Sequence, residues 1–421
     1  MRTRPDRLAL LGGTPVRERP FAAWPEFDDR EEAAVAEALS RGEWGGYPMP
    51  NHFASRFEQR FAARHDCEHG QLVANGTVSL EIALEALGVE HGAEVIVPAY
   101  TFEATAASAL FAGCVPVFAD VRSEDYCLCP DAVEAAITSR TQAIVPVHLA
   151  MSVADLDRLG EIAQRHGLAV IEDCAHAHGA RWRGRGVGSW GDAGSFSFQT
   201  SKLMTCGEGG IVVTKDRRTS EKLHALTNCG RAAAEAEPPG LIGHNYRLSD
   251  LQAALLDAQL ERLDEQLERR ARHAERFRAG LERIPGLEPV ATDERVTTQA
   301  IYQFVLRYDA EAFAGASRDT FVAALIAEGV PCDGRFYEDL TQSPLLAKGN
   351  GRYPAFDASP PPAPCPNAAR AAYDEAVWLP HPLFLGTVDD VDDVLVALEK
   401  LSRRAPQLSE TQVHAKARTE R

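Results

Sequence analysis

Ser195-Phe196-Ser197-Phe198-Gln199-Thr200-Ser201-Lys202-Leu203-Met204-Thr205-Cys206-Gly207-Glu208-Gly209-Gly210 is the stretch that decides how this 421-residue chain is read. It holds one lysine, Lys202, among small, hydroxyl and apolar residues, with no charged neighbour until Glu208. The glycine-rich turn leads into an apolar strand, Ile211-Val212-Val213-Thr214. A lysine at a loop end is ordinarily a surface lysine. These flanks point instead to an enclosed amine, whose pKa desolvation lowers and whose neutral form can make a Schiff base. Such chemistry asks for three companions: a carboxylate for a ring nitrogen, an anion cradle and a ring-stacking aromatic.

Working outward, each companion has a candidate. Gln71 to Ala74 reads as a short strand, and Asn75-Gly76-Thr77-Val78-Ser79 opens a helix from Leu80 to Leu87. A strand ending in a Gly-Thr turn at a helix N-terminus offers free N–H groups and a hydroxyl to an anion. Plain helix capping is the alternative that this motif alone leaves open. Glu94 to Pro98 is a second strand, followed by Tyr100 and Phe102 and then a helix from Ala104 to Ala112. Leu168 to Glu172 is an apolar strand ending in Asp173, and Cys174-Ala175-His176-Ala177-His178-Gly179 after it suits a tight pocket wall. A buried Asp needs a charge partner, and a protonated pyridine nitrogen is one. His176 and His178 read as polar packing beside the site ahead of metal ligands, and no metal is expected.

Between these lie strands at Val115 to Asp120 and Ala143 to His148, and helices at Asp131 to Ile137 and Asp155 to His166. Alternating strands and helices predict an α/β fold with a mostly parallel sheet. Its ligand-bearing edge gathers Thr77, Phe102, His148, Asp173 and Lys202, all of which follow strand ends. Residues 1–24 read as an extended arm that must lie on a domain or on a partner subunit. Residues 25–270 form the large domain and 271–402 a smaller α+β domain, linked by a long helix from Leu251 to Leu281. Arg335 to Glu338 and Val377 to His381 are placed to close over a substrate. Residues 348–367 are rich in Pro and Gly and read as a loop, and 403–421 as a disordered tail.

Composition narrows the class. Hydrophobic residues at 45% and charged residues at 25% are those of an ordinary globular enzyme. A net charge of -17 argues against a nucleic-acid partner. No apolar run is long enough for a membrane span, and no signal peptide is read. The nine cysteines lack paired CxxC spacing, so reduced thiols and a cytoplasmic location are expected.

Taken together, Asn75-Gly76-Thr77, Pro98 to Phe102, Glu172-Asp173 to Gly179, Ser195 to Lys202, Gly207-Glu208-Gly209-Gly210 and Gly243-His244-Asn245-Tyr246-Arg247 occur in an order and spacing that resemble the DegT-type sugar aminotransferases. The resemblance covers roughly residues 8–400. It implies the aspartate aminotransferase fold, a type I arrangement built around pyridoxal 5′-phosphate (PLP). Carried over residue by residue, it implies that Lys202 bonds the cofactor and Asp173 pairs with its pyridinium nitrogen. Phe102 would stack on the ring and His176 lie by the ring hydroxyl. Gly76, Thr77 and Ser197 would hold the phosphate. Asn245 would reach the cofactor of the other subunit, which implies a homodimer with shared sites. Tyr100, His148, Arg231 and Tyr337 are the substrate candidates. Where the family commonly has His-Leu-Tyr-Gly, this chain has His148-Leu149-Ala150-Met151.

The arm, the run Phe198 to Thr205 and Asn228-Cys229-Gly230-Arg231 resemble one branch of that family. It holds the L-glutamine:scyllo-inosose and 2-deoxy-scyllo-inosose aminotransferases of aminoglycoside pathways and the 3-amino-5-hydroxybenzoate synthases. The synthases usually carry Asn-Gly where this chain has Thr200-Ser201, which favours a keto-cyclitol or keto-sugar acceptor with L-glutamine or L-glutamate as donor. A PLP-dependent dehydratase or aromatising synthase, a nucleotide-sugar aminotransferase and a non-enzymatic regulator are the competing readings. Arg183, Arg185, Arg231 and Arg335 are the candidates for a diphosphate, if the acceptor carries one.

Overall fold

The computed structural model describes residues 7–46, 49–232, 240–349 and 351–409. A seven-stranded sheet is its centre. In chain order its strands are β1 (His69–Val73), β2 (Glu94–Pro98), β3 (Val115–Ala119), β4 (Thr141–Ile144), β5 (Ala169–Asp173), β6 (Ala193–Ser197) and β7 (Gly210–Thr214). They lie in the order β1-β7-β6-β5-β4-β2-β3. Every pairing from β6 to β3 is parallel, and only β7 runs against its neighbours. Strands such as Val95-Ile96-Val97 and Ile211-Val212-Val213 are buried throughout, because a parallel sheet is covered on both faces and reads as continuous β-branched runs. All of the parallel strands therefore present their carboxyl ends to one side, where their loops converge.

Three helices matter most to the site. Helix α1 (Gly76–Leu87) follows β1, and α2 (Ala104–Phe111) follows β2. Asn75 caps α1 by accepting the Val78 N–H at 3.0 Å. Helix α3 (Asp250–Leu281) begins at a Ser249 cap and runs unbroken through 270, where the sequence suggests a domain boundary. The C-terminal part adds a three-stranded antiparallel sheet of β8 (Leu287–Pro289), β9 (Gln303–Tyr308) and β10 (Ala376–Pro380). Helices α4 (Arg318–Ala327) and α5 (Val388–Arg403) belong to the same part.

The arm lies on this chain's own C-terminal part. Leu8 is buried, the Ala9 and Val16 N–H groups donate to the Glu328 carboxylate, and Arg17 pairs with Asp390 and Asp393. Residues 403–409, expected to belong to a tail, are packed. Ala405 and Leu408 are buried, and the Gln407 side chain accepts the Leu8 N–H at 3.1 Å. Apolar residues spaced three apart continue the packed face of α5 past its end. Residues 410–421 lie outside the described residues. Among the described residues no helix is long and apolar enough to cross a membrane.

Candidate active site

A cavity of about 1110 Å³ opens at the carboxyl ends of the parallel strands, with Lys202 in its wall. Lys202 sits four residues beyond Phe198 in a loop that is tied down on its far side. The Phe198 N–H donates to Gly209 O and the Thr205 hydroxyl donates to Phe198 O. Gly207 takes φ +88° to make the turn, a conformation open to glycine at little cost. The Trp24 indole N–H donates to Thr200 O at 2.8 Å, and His381 Nε2 lies 3.2 Å from Ser201 O. The backbone ahead of the lysine is thus held by the arm and by the C-terminal part. Burial lowers the Lys202 pKa to about 8, against the pull of the Asp173 charge.

Asp173 ends β5 and faces the same cavity. It accepts the Thr105 hydroxyl at 2.9 Å and the Ala175 N–H at 3.1 Å. Burial raises its pKa, and these contacts with the Lys202 charge offset only part of the rise. A buried carboxyl in that condition favours a proton or a cationic partner. Thr105, which no motif marks in the sequence, reaches Asp173 from the first turn of α2.

The anion cradle is assembled from α1 and β6. The Gly76 and Thr77 amides are the first two of α1 and have no carbonyl one turn back to bond. They line the cavity together with Ser197. A Cβ on Gly76 would lie 2.7 Å from Ser197 Cβ, so the close approach of these two segments requires glycine. A dianion fits at such a helix N-terminus.

His176 and Tyr337 also line the cavity. His176 Nδ1 accepts the Ala150 N–H at 3.1 Å, which leaves the proton on Nε2, 2.9 Å from the Tyr337 hydroxyl. Burial holds His176 well below the ordinary histidine range, so it is neutral. Phe102 projects into the cavity and is 47% exposed, as a residue kept free to cover a ligand would be. Tyr302, at the start of β9, closes the floor. Its ring centre lies 4.7 Å from Lys202 Nζ, its hydroxyl is 2.9 Å from Ser201 Oγ, and it stacks on His176. Phe336, Arg352 and Tyr353 add further wall.

Other candidates stand elsewhere. His148 is buried behind the wall, with Nδ1 accepting the Ala154 N–H and Nε2 donating to Glu172 at 3.1 Å. Tyr100 is fully buried and accepts the Trp378 indole N–H. Val377 to Leu379 are strand core, and His381 serves the lysine loop rather than the cavity. His178 packs among phenylalanines and bonds Ser197 O at 2.8 Å. Asn245 and Arg231 are exposed and lie outside this chain's cavity wall. Arg183 is paired with Asp157 and Arg335 with Asp319, and Arg185 bonds Ser189.

The chain as a whole has known relatives. The model of the DegT/DnrJ/EryC1/StrS aminotransferase family matches residues 25–399. The chain belongs to that family. It is a transaminase, and its cofactor is PLP. A relative from Streptoalloteichus tenebrarius is 46% identical over 96% of this chain and 99% of its own length. It carries the provisional name L-glutamine:3-amino-2,3-dideoxy-scyllo-inosose aminotransferase. The L-glutamine:2-deoxy-scyllo-inosose aminotransferase of Streptomyces fradiae is 38% identical over the same shares. Among solved structures, 3-amino-5-hydroxybenzoic acid synthase has a TM-score of 0.82 at 34% identity, covering 92% of this chain and all of that one. DesI in the presence of its TDP-sugar product has a TM-score of 0.82 at 30% identity, covering 98% of this chain and 99% of that one.

Proposed function

We propose that this transaminase moves the amino group of L-glutamine to an uncharged or amino-bearing keto-cyclitol, in the assembly of an aminoglycoside-type antibiotic. The observation that carries the acceptor class is the charge of the cavity wall. Among the described residues, Arg352 is its one arginine. A sugar nucleotide brings a diphosphate, and Arg183, Arg185 and Arg335 are engaged elsewhere. The relatives at 38–46% identity are named for inososes, which have no phosphate to bind. Thr200-Ser201 speaks against the aromatising alternative.

Each residue has a task in this reading. The Gly76 and Thr77 amides and the Ser197 hydroxyl would hold the cofactor phosphate. Asp173 would pair with the pyridine nitrogen and keep it protonated. Phe102 would stack on the ring, and His176 would lie on its hydroxyl side. Bound there, PLP carries the amino group between half-reactions and accepts the electron pair released at the donor's α-carbon. Lys202 Nζ takes the proton from that carbon as a neutral amine and later returns it as an ammonium. A pKa lowered to about 8 suits both roles. Tyr337 closes the substrate side.

The exposed Asn245, outside its own cavity, supports a homodimer in which each chain completes the other's phosphate cradle. Nine free cysteines suit the reducing cytoplasm. The deciding experiment adds L-glutamine alone to the purified yellow enzyme. The visible band bleaches, and an inosose ketone then restores it. A band unmoved by glutamine, glutamate and alanine removes the amino-transfer reading. Bleaching followed by recovery only with a TDP-keto-sugar removes the cyclitol.

A further inference from the structure

We propose that Tyr302 is a positioning residue for Lys202, whose ring face supports the amine while it carries the substrate proton. The inference rests on Lys202 as the proton carrier. In that role Nζ alternates between amine and ammonium: the donor's Cα–H bond breaks, an N–H bond forms, and the C–H electron pair stays with the substrate and cofactor. The ammonium then exists briefly in a buried site, where desolvation opposes it.

The groups facing it are few. Asp173 at the end of β5 carries the opposite charge and acts on Lys202 through space. His176 and His178, in the loop after β5, are held neutral by burial and gain nothing from a nearby cation. The Tyr337 phenol is pushed well above its ordinary range, so it stays neutral too. Among the described residues the ring contact of Nζ is with Tyr302, 4.7 Å from Nζ to the ring centre. An aromatic face attracts an ammonium, yet has no lone pair to take the proton away. A second carboxylate would stabilise the cation more strongly and compete for the proton.

Tyr302 is fixed for this purpose. Its N–H donates to Ala150 O, and its carbonyl accepts the His381 N–H. Its hydroxyl meets Ser201 Oγ, one residue before the lysine, and its ring stacks on His176 with centroids 4.1 Å apart. The ring cannot tilt away from Nζ without breaking one of these contacts. The hydroxyl acts on the loop and the face acts on the amine, so the two can be tested apart.

The test titrates Lys202 in the cofactor-free protein. Pulses of acetic anhydride across pH are followed by mass spectrometry of the Lys202 peptide. Tyr302→Phe keeps the face and leaves the midpoint near that of the wild type. Tyr302→Leu lowers it by roughly one pH unit, the scale of a buried cation–π contact. Should Tyr302→Leu fail to fold, mono-, di- and trifluorinated phenylalanines at 302 keep the shape and weaken the face stepwise. The midpoint then falls with each fluorine, and the single-turnover rate with L-glutamine falls about 3- to 10-fold across the series. A midpoint indifferent to fluorination overturns the proposal. So does a loss in Tyr302→Phe equal to that in Tyr302→Leu, which would assign the effect to the Ser201 bond. Whether Lys202 carries the proton is decided separately, by whether an added small primary amine such as ethylamine restores turnover to Lys202→Ala.

Discussion

Glu172 and Asp173 are adjacent carboxylates on one strand, and they serve opposite sides of it. Glu172 points behind the cavity and is saturated. It accepts the amides of Gly188, Trp190 and Gly191 at 2.7–2.8 Å and the His148 ring at 3.1 Å. Burial raises its pKa, but the His148 contact and the loop amides outweigh burial and hold it below the ordinary range. Asp173 points into the cavity, has two donors among the described residues and is held above that range. Both are buried, so burial does not separate a structural acid from a functional one. The number of partners the protein supplies does. An acid completed by the fold stabilises it, and an acid left incomplete waits for a ligand.

The sharpest attack on this contrast is made at the ligand side. Lys202→Ala should lose at least about 10³-fold in turnover, since it removes both the cofactor bond and the proton carrier. The absorbance of any bound PLP then reports the free aldehyde. Asp173→Asn should lose about 10²- to 10³-fold in kcat, because the ring nitrogen is no longer held charged, and should retain cofactor less tightly through dialysis. Glu172→Gln leaves its donors facing an amide. It should cost about 3 kcal/mol of stability, read as a lower melting temperature, while the folded fraction keeps kcat within a few-fold. Thr105→Val removes one of the two donors to Asp173 and should cost roughly 1 kcal/mol in transition-state terms, about 5-fold in kcat/KM.

The two acids also predict opposite pH slopes in the cofactor-free protein. The folded pKa of Asp173 is raised. Its contribution to stability is therefore fully present below the ordinary carboxylate range and is lost as pH rises through the folded value. The folded pKa of Glu172 is lowered, so its contribution is present above that range and is lost as pH falls through the folded value. Denaturant titrations at several pH values should show Asp173→Asn flattening the upper slope and Glu172→Gln the lower one. A single slope shared by both variants would erase the distinction.

The side of the strand on which each acid lies is what the sequence could not tell. Alternating apolar strands, the Asn75-Gly76-Thr77 helix start, the carboxylate ending β5 and the uncharged surroundings of Lys202 are local patterns, and they were legible. His148 follows a strand as Asp173 does, and only the packed structure turns its ring toward Glu172. Tyr302 and Thr105 were missed because their roles come from contacts 100 and 68 residues away in sequence, to Lys202 and Asp173. Neither stands in a motif of its own. In residues 348–367, Pro and Gly content suggested a loop but showed neither the short helix Pro354–Asp357 nor that Arg352 and Tyr353 reach the cavity.

The arm meets segments 399 and 386 residues further along the chain, since the Leu8 N–H meets the side chain of Gln407 and Lys400 Nζ meets Thr14 O. On a ribosome these partners emerge long after the arm. The sheet and the lysine loop can form beforehand, but the arm lacks its partners until α5 is released. Trp24, at the end of that arm, grips the Thr200 carbonyl two residues before the reactive lysine. Release of α5 is therefore also what lets the arm fasten the backbone beneath Lys202, and a nascent chain that has not yet reached α5 would hold its sheet before it held its lysine loop in place.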